Sequence, residues 1–361
     1  MARRVMVELP HCRYPIAIGA GAISEWASLV SASGASPAGV FVVADASVAE
    51  LHRGRISQVV GDKSLTTVAP GETSKSLEEA ERLYQALGAA RVGRDGVIVA
   101  IGGGVVGDLA GFVAGTWMRG IRFLQVPTTL EAAIDAAVGG KTGVNTSHGK
   151  NMVGVFHQPI GVIVDLDFLA TLADRDLRAG LAESVKHAAI RDPGFLEWQE
   201  TNAGAILRRD AATLGELIAR NVAIKADVVS RDEREAGLRE ILNYGHTVGH
   251  AIEHLMGYEL RHGECVALGM IAENEIAVGR GWLGREGAER IRALIAALGL
   301  PTRLPTRLDP ADIWAACRHD KKNRGGAVRM VVLRGVGAAT AIADATEAEL
   351  TRVIEAVMPL P

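Results

Sequence analysis

Residues 96–115 read GVIVAIGGGVVGDLAGFVAG, and the order of residue types in that stretch decides the fold. Val97, Ile98, Val99 and Ile101 make a short apolar, β-branched run, the pattern of a strand buried on both faces. Gly102, Gly103 and Gly104 then turn the chain, and the apolar positions beyond them recur at helical spacing. Strand, glycine turn and helix in that order predict one βα unit of a parallel sheet. With no Cβ atoms at the turn, backbone N–H groups can approach a phosphate at the positive end of the helix. Gly104-x-x-Gly107 is shorter than the full G-x-G-x-x-G fingerprint, so a plain turn competes with a dinucleotide pyrophosphate; the preceding strand favours the pyrophosphate.

The same alternation extends outward. Strand-like runs RVMVEL, YPIAIG, GVFVVAD, SLTTVAP, IRFLQVP and GVIVDL surround the stretch, with amphipathic segments at residues 22–33 and 76–90 between several of them. From about residue 174 the strand signal fades, and residues 176–190, 211–229, 235–255, 264–281 and 287–298 predict helices. One late exception, AVRMVVLRGVGAATAIAD at residues 327–344, predicts a hairpin with a glycine-containing turn. The expected architecture is an α/β domain over residues 1–173 and a mainly α-helical domain over residues 174–361.

A chain of 361 residues has room for two cores. A formal net charge of −3 gives no electrostatic case for nucleic acid. No apolar run approaches the roughly 20 residues that span a bilayer, so neither nucleic acid nor membrane is an expected partner. The N-terminus, MARRVMVELPHCRYPIAIG, begins basic but alternates like a strand and lacks a signal-peptide core. Cys12, Cys265 and Cys317 are far apart and odd in number, which argues against a disulfide framework and for a cytoplasmic protein. Cys265 reads as a small buried residue.

The densest chemistry lies at residues 231–264, RDEREAGLREILNYGHTVGHAIEHLMGYELRHGE. His246, His250 and His254 recur every fourth residue, an advance of about 40° per step, so they share one helical stripe. His262 follows Gly257 and Tyr258, where the helix is expected to end. Neutral imidazole is the commonest transition-metal ligand, and a catalytic ion typically takes three protein ligands. Glu183, an acid in the apolar GLAESVKHAAI, is the best carboxylate to complete the set, with Lys186 on the same face. Histidines four apart on a helix are more often solvated than metal-bound. Four of them interleaved with Gly245, Gly249 and Gly263 favour a metal, because each helical glycine costs about 1 kcal/mol unless a close backbone approach requires it.

Several further residues could hold an anionic, hydroxyl-rich ligand. Asp45 ends the GVFVVAD run, where it suits ribose hydroxyls or a helix N-cap equally. Glu72 and Lys75 in PGETSKS, and Thr128 and Thr129 after Pro127, are similarly double in meaning. Residues 135–154, DAAVGGKTGVNTSHGKNMVG, are too polar and glycine-rich for a core element. Their Lys141, Asn145, Lys150 and Asn151 suit a phosphorylated or polyhydroxylated ligand, a solvated loop being the plainer reading. Arg119 in WMRG joins them. Lys225, Glu235, Arg239 and Asn243 share a broad helical face with His246 and His250 if the intervening turn is ignored, and Arg239 offers a bidentate fork for a carboxylate. Lys321 and Lys322 lie in a charge run before the late hairpin and add cations.

GGGVVGDLAGF, MRG…QVPTTL, DAAVGGKTGVN…GKN, RAGLAESVKH, DEREAGLREILNYGHTVGHAIE, HGECVALGM and DKK, in this order, resemble the 3-dehydroquinate synthases of the sugar-phosphate cyclase group over almost the whole chain. The resemblance implies a Rossmann-like α/β N-terminal domain, a helical C-terminal domain and a homodimer. It implies a divalent metal, zinc or cobalt, on Glu183, His246 and His262, so that His250 turns to substrate and His254 has no role. For NAD it implies Asp45, Glu72, Lys75, Gly103 and Gly104, with Asp108, Thr128, Thr129, Lys150 and Thr171. Asp135, Asn151, Lys225, Arg239 and one of Lys321 and Lys322 become substrate contacts, and Arg119 reaches the phosphate bound by the neighbouring subunit. Lys141, Lys186, Glu235, Asn243 and His250 are implied as catalytic.

The implied reaction converts 3-deoxy-D-arabino-heptulosonate 7-phosphate, a small-molecule sugar phosphate, to 3-dehydroquinate and phosphate, within shikimate and aromatic amino acid biosynthesis. It comprises transient oxidation at C5, β-elimination of phosphate, reduction at C5 and an intramolecular aldol closure, so NAD is regenerated and the enzyme is a lyase. Where the family often reads TTLLAQVDSSVGGK, this chain has Glu131, Ala136 and Ala137, and Ser47 stands where an Asn is common; a relative with an altered substrate is the alternative they leave. Lys225 and Arg239 argue against cyclases whose substrates lack a carboxylate, though not against an aminodehydroquinate synthase. A metal-dependent polyol dehydrogenase shares the histidine pattern but has no need of the GGKT…GKN lysines or Arg239. A non-catalytic nucleotide sensor would not need Glu183 or His262.

Overall fold

The computed structural model describes residues 3–36, 39–61, 65–318 and 328–360. Contacts divide the chain into one unit of Met1–Ala173 with Leu214–Glu233 and a second of Asp174–Thr213 with Arg234–Pro361. In the first unit the β-branched runs form β1 (Arg3–Glu8), β2 (Arg13–Gly19), β3 (Val40–Asp45), β4 (Leu65–Val68), β5 (Val97–Gly102) and β6 (Arg122–Pro127). A hairpin of β7 (Lys141–Thr146) and β8 (Gly149–Phe156) and then β9 (Gly161–Asp165) complete its strands. Seven of them make one sheet in the order β1-β2-β9-β6-β5-β3-β4. Neighbours run parallel except β1, which is antiparallel to β2. Every run expected to be a strand in this half lies in that sheet, as a parallel α/β layer requires.

Strand β5 is buried along its whole length. Its side chains alternate between two apolar clusters, Ile98 and Ala100 joining Leu83, Leu109 and Phe123 on one face, and Val97, Val99 and Ile101 joining Val30, Ile56 and Ile163 on the other. β3 is followed outward by β4, whereas β5 returns to the opposite side of β3. That reversal is a topological switch point, and the crevice beyond the carboxyl ends of such strands is where open α/β sheets bind ligands. The glycine turn after β5 opens the Gly104–Thr116 helix there, as expected.

Of residues 135–154, read from sequence as a ligand stretch or solvated loop, those from Lys141 onward belong to the β7–β8 hairpin. Gly154 lies so close to the Thr142 carbonyl across the ladder that no Cβ fits. The glycines that made the segment look irregular are what let its strands pair closely.

The second unit contains helices Asp174–Arg191, Pro193–Leu207, His246–Leu255, His262–Gly279 and Arg285–Ala297, with two more at Pro310–Arg318 and Glu347–Ile354. The late hairpin is present as β10 (Met330–Gly335) and β11 (Ala338–Ile342), paired antiparallel. The helix expected over residues 235–255 is broken. A 3₁₀ segment, Leu238–Asn243, ends before Gly245, whose φ of 80° is left-handed, and a fresh helix starts at His246. The Gly245 N–H donates to the buried carboxylate of Glu273 at 2.6 Å, which fixes the break. No helix among the described residues is long and apolar enough to cross a membrane.

Helices His246–Leu255 and His262–Gly279 touch backbone to backbone. A Cβ on Gly269 would overlap the Gly245 carbonyl and stand 2.7 Å from the Gly249 nitrogen, while one on Gly249 would stand 2.9 Å from the Cys265 carbonyl. Gly269→Ala is therefore expected to lower stability by about 1–3 kcal/mol, the range for forcing an extra methyl into a packed interior. A urea unfolding series reads this directly; an unchanged midpoint would show that the helices can part without cost.

Candidate active site

Three helices of the second unit bring their polar residues to one point. The Asp174–Arg191 helix carries Glu183 and Lys186, each 1% exposed. Burying a charge is costly unless it is paired, and Lys186 Nζ meets Glu183 Oε2 one turn along. The other oxygen, Oε1, faces His246 Nε2 at 3.5 Å and His262 Nε2 at 3.6 Å. Gly263 makes this possible, since any Cβ there would overlap the Ala179 carbonyl, and Ala179 precedes Glu183 by one turn. The chain thus enters the His262–Gly279 helix directly against the helix that bears the acid.

Hydrogen bonds orient both imidazoles. His246 Nδ1 is 3.0 Å from the Tyr244 carbonyl, and His262 Nδ1 is 3.2 Å from Glu253 Oε2. A carbonyl or carboxylate oxygen only accepts, so each Nδ1 carries the hydrogen and each Nε2 turns a lone pair toward Glu183. Imidazoles held this way by an outer acceptor are the usual arrangement around protein-bound metals. Two donors each about 2.1 Å from a tetrahedral ion stand roughly 3.4 Å apart. The spacings of 3.5 and 3.6 Å fit a divalent ion between them.

His250 is close at hand, its ring 5.4 Å from that of His246 and 5.7 Å from that of His262. Donor atoms of these three histidines lie within 4.8 Å of one another. His254, the last residue of the stripe, is exposed and packs its ring edge-on to Tyr258. Two steps of about 40° have carried it off the face. Cys265 and Cys317 are fully buried and in no disulfide.

In the 3₁₀ segment that ends before Gly245, Arg239 is 2% exposed. Asn243 Nδ2 donates to Glu235 Oε1 at 2.9 Å. Glu235 has a φ of 59°, a left-handed conformation that costs a non-glycine residue about 1 kcal/mol or more and that clusters at ligand sites. Lys321 and Lys322 lie outside the described residues.

In the first unit Asp45, Gly103, Gly104, Thr128 and Thr129, all expected nucleotide residues, stand at the carboxyl ends of strands β3, β5 and β6. Asp45 ends β3 and acts as a helix N-cap, its Oδ1 accepting from Ser47 and Val48 N–H at 2.8 and 3.1 Å. Gly103 caps the Gly104–Thr116 helix with no side-chain hydrogen bond, so its first-turn N–H groups keep the pattern that binds anions. Thr128, 4% exposed after β6, has a buried Oγ1 without a hydrogen-bond partner among the described residues. A buried hydroxyl of that kind calls for a ligand atom. Thr129 Oγ1 accepts from Ala132 N–H at 3.2 Å. Thr171 Oγ1 is 2.6 Å from Nε2 of His52, whose pKa is lowered chiefly by burial.

The loop before the Leu77–Ala89 helix is tied to the hairpin. Asn145 donates from Nδ2 to Glu72 Oε1 at 2.8 Å and from its backbone to the Lys75 carbonyl at 2.8 Å, and accepts from Asn151 N–H at 2.9 Å. Asn151 is left-handed, with φ 56°. Lys141 and Lys150 are exposed on the two strands. Lys75 Nζ reaches Asp108 Oδ2 at 2.5 Å; burial pushes that carboxyl's pKa up while the lysine pulls it down. Lys225 Nζ lies 2.8 Å from Asp135 Oδ1 and 2.5 Å from the Asp135 carbonyl, and Asp135 sits on a single π-helical turn, Ala132–Ala136. Lys75, Lys186 and Lys225 are thus buried, each against an acid that the sequence also singled out. Arg119 projects from an exposed turn with φ 69°, next to Met118 at φ 50°.

Sequence reasoning missed Glu253, Tyr244 and Glu273 as the groups that hold the histidine rings and their helix. An acid on an apolar helical face three residues after His250 was the available sign.

The sequence model described as 3-dehydroquinate synthase N-terminal matches residues 65–179, and the one described as 3-dehydroquinate synthase C-terminal matches residues 180–323. A 3-dehydroquinate synthase from Halorhodospira halophila is 45% identical over 357 residues, covering 98% of this chain and 100% of that one. Among solved structures, a 2-epi-5-epi-valiolone synthase from Streptomyces hygroscopicus with NAD⁺ and Zn²⁺ bound superposes with a TM-score of 0.86 at 28% identity, covering 96% of this chain and 97% of that one. A 2-deoxy-scyllo-inosose synthase complexed with carbaglucose-6-phosphate, NAD⁺ and Co²⁺ gives a TM-score of 0.86 at 27% identity, covering 98% and 99%.

The donor geometry predicts metal content. Glu183→Ala and His262→Ala should each weaken zinc binding beyond the roughly 10–100-fold typical of changes that only touch a ligand, whereas His254→Ala should keep the ion. Metal analysis after dialysis decides it, and full occupancy in either of the first two variants would remove that residue from the set.

Proposed function

Because the chain belongs to the 3-dehydroquinate synthase family, we propose that it converts 3-deoxy-D-arabino-heptulosonate 7-phosphate to 3-dehydroquinate and phosphate, as a phosphate-eliminating lyase using NAD and zinc or cobalt. The observation that carries this reading is the convergence of Glu183, His246 and His262 from three helices, with both imidazoles turned toward the acid. Those three residues hold the ion. Asp45, Gly103, Gly104 and Thr128 hold NAD at the switch point, with Glu72, Lys75, Asp108, Thr129, Lys150 and Thr171 around it. A bound divalent ion would supply Lewis acidity at the C5 hydroxyl, and bound NAD would supply reversible hydride chemistry at the same carbon.

The chain's own residues bind and orient the substrate. Lys186, Glu235, Asn243 and His250 contact its hydroxyls and its reacting centre, and membership of the family adds Lys141, Asn151 and Asp135 to the substrate residues. Arg239 is the group that selects a carboxylate. Its planar fork of N–H donors, 2% exposed, matches the two oxygens of a carboxylate in a way that a lysine cannot. The 45% identity to a dehydroquinate synthase, against 28% and 27% to the two other cyclases, supports the same choice. Arg119, on its exposed turn, reaches the phosphate of a substrate bound by the partner in a homodimer. Three cysteines outside any disulfide fit the reducing cytoplasm.

Two measurements test this reading. With substoichiometric NAD, the heptulosonate phosphate should be consumed completely with phosphate released and no net NADH absorbance, and chelation should stop the reaction until zinc or cobalt is restored. NADH accumulating one for one with product would make the protein a dehydrogenase. Arg239→Lys keeps the charge but loses the fork, and is expected to cost about 1.5–3 kcal/mol, roughly tenfold to a hundredfold in kcat/KM. A variant that loses nothing would remove the carboxylate clamp.

A further inference from the structure

We propose that Glu253 is a positioning residue for the divalent ion, holding the ring of His262 and placing a negative charge one imidazole away from the metal. The proposal rests on the reading of His262 as a ligand. Glu253 lies in the last turn of the His246–Leu255 helix, is 8% exposed, and has Oε2 3.2 Å from His262 Nδ1. The helix itself gives no reason for an acid there. A carboxylate in a final turn faces the negative end of the helix dipole, and burial adds a desolvation cost. A cation nearby offsets both.

The charges around the ion show what Glu253 contributes. Glu183 is paired with Lys186, and Glu253 adds a second carboxylate, bonded to the ring of His262 and so one imidazole away from the ion. The two imidazoles are held differently, His246 by the neutral Tyr244 carbonyl and His262 by this carboxylate. A charged acceptor makes the stronger hydrogen bond and pushes more electron density to the far nitrogen, so His262 becomes the stronger ligand.

The test is Co²⁺ binding to chelator-treated protein, read by the visible absorption of the bound ion and by its release to a competing chelator. Glu253→Gln keeps the shape and an acceptor oxygen and loses only the charge, so it remains informative even where Glu253→Ala disturbs folding. Glu253→Gln should bind about 10-fold more weakly and Glu253→Ala about 100-fold, with faster release and shifted absorption bands in both. Affinity, release and bands unchanged in Glu253→Gln, while His262→Ala loses the ion, overturn the proposal and leave the ligand assignment standing. Wild-type affinity in His262→Ala overturns the ligand assignment and the proposal together.

Discussion

The site depends on helices that meet without side chains between them. Gly263 lets the start of one helix lie on the Ala179 carbonyl, and Gly249 and Gly269 let that helix lie on its neighbour. Each contact leaves less room than a methyl group needs. Together they set the distances at which Glu183, His246 and His262 face one another, and no flexible side chain intervenes to blur them. Glu273, buried on the same helix as His262, accepts from the Gly245 N–H and so fixes where the helix of His246 begins. One helix therefore supplies a donor at its first residue and positions another donor three turns later.

The first unit solves a different problem, holding polar groups ready at the end of a buried sheet. Gly103 leaves the Gly104–Thr116 helix without a side-chain cap, and Thr128 keeps a hydroxyl buried beside the strand ends. Lys75 and Lys225 are buried only because Asp108 and Asp135 accompany them. Pairs of this kind contribute little net stability, since desolvation consumes most of the Coulombic gain, but breaking one leaves a buried charge alone. Such an arrangement favours a fixed geometry for an anionic ligand over a more stable apolar filling.

The first unit's sheet was legible because each strand is a β-branched run bounded by turn residues, and burial on both faces makes those runs continuous. The β7–β8 hairpin was not, because Gly143, Gly149 and Gly154 interrupt the alternation that marks a strand. In the histidine cluster, spacing along one helix pointed to His246, His250 and His254 alike; the first two lie together with His262, while the drift of the helix carries His254 to the surface. Spacing cannot say which residue of another helix lies opposite; the family resemblance singled out Glu183, and its Oε1 stands 3.5 and 3.6 Å from the two imidazoles. Asp45 had two readings from sequence, and its hydrogen bonds to Ser47 and Val48 N–H show the cap. Glu253 escaped notice because an acid among apolar helical residues gains meaning only once the ring it touches is known.

The most direct test of the central claim, that Glu183 rather than a third histidine completes the metal set, is an X-ray absorption spectrum of the zinc-loaded protein. The account predicts nitrogen and oxygen donors at about 2.0–2.2 Å with the outer-shell scattering of two imidazoles. A third imidazole, with Glu183 left out, or a sulfur shell at about 2.3 Å from Cys265, would contradict it.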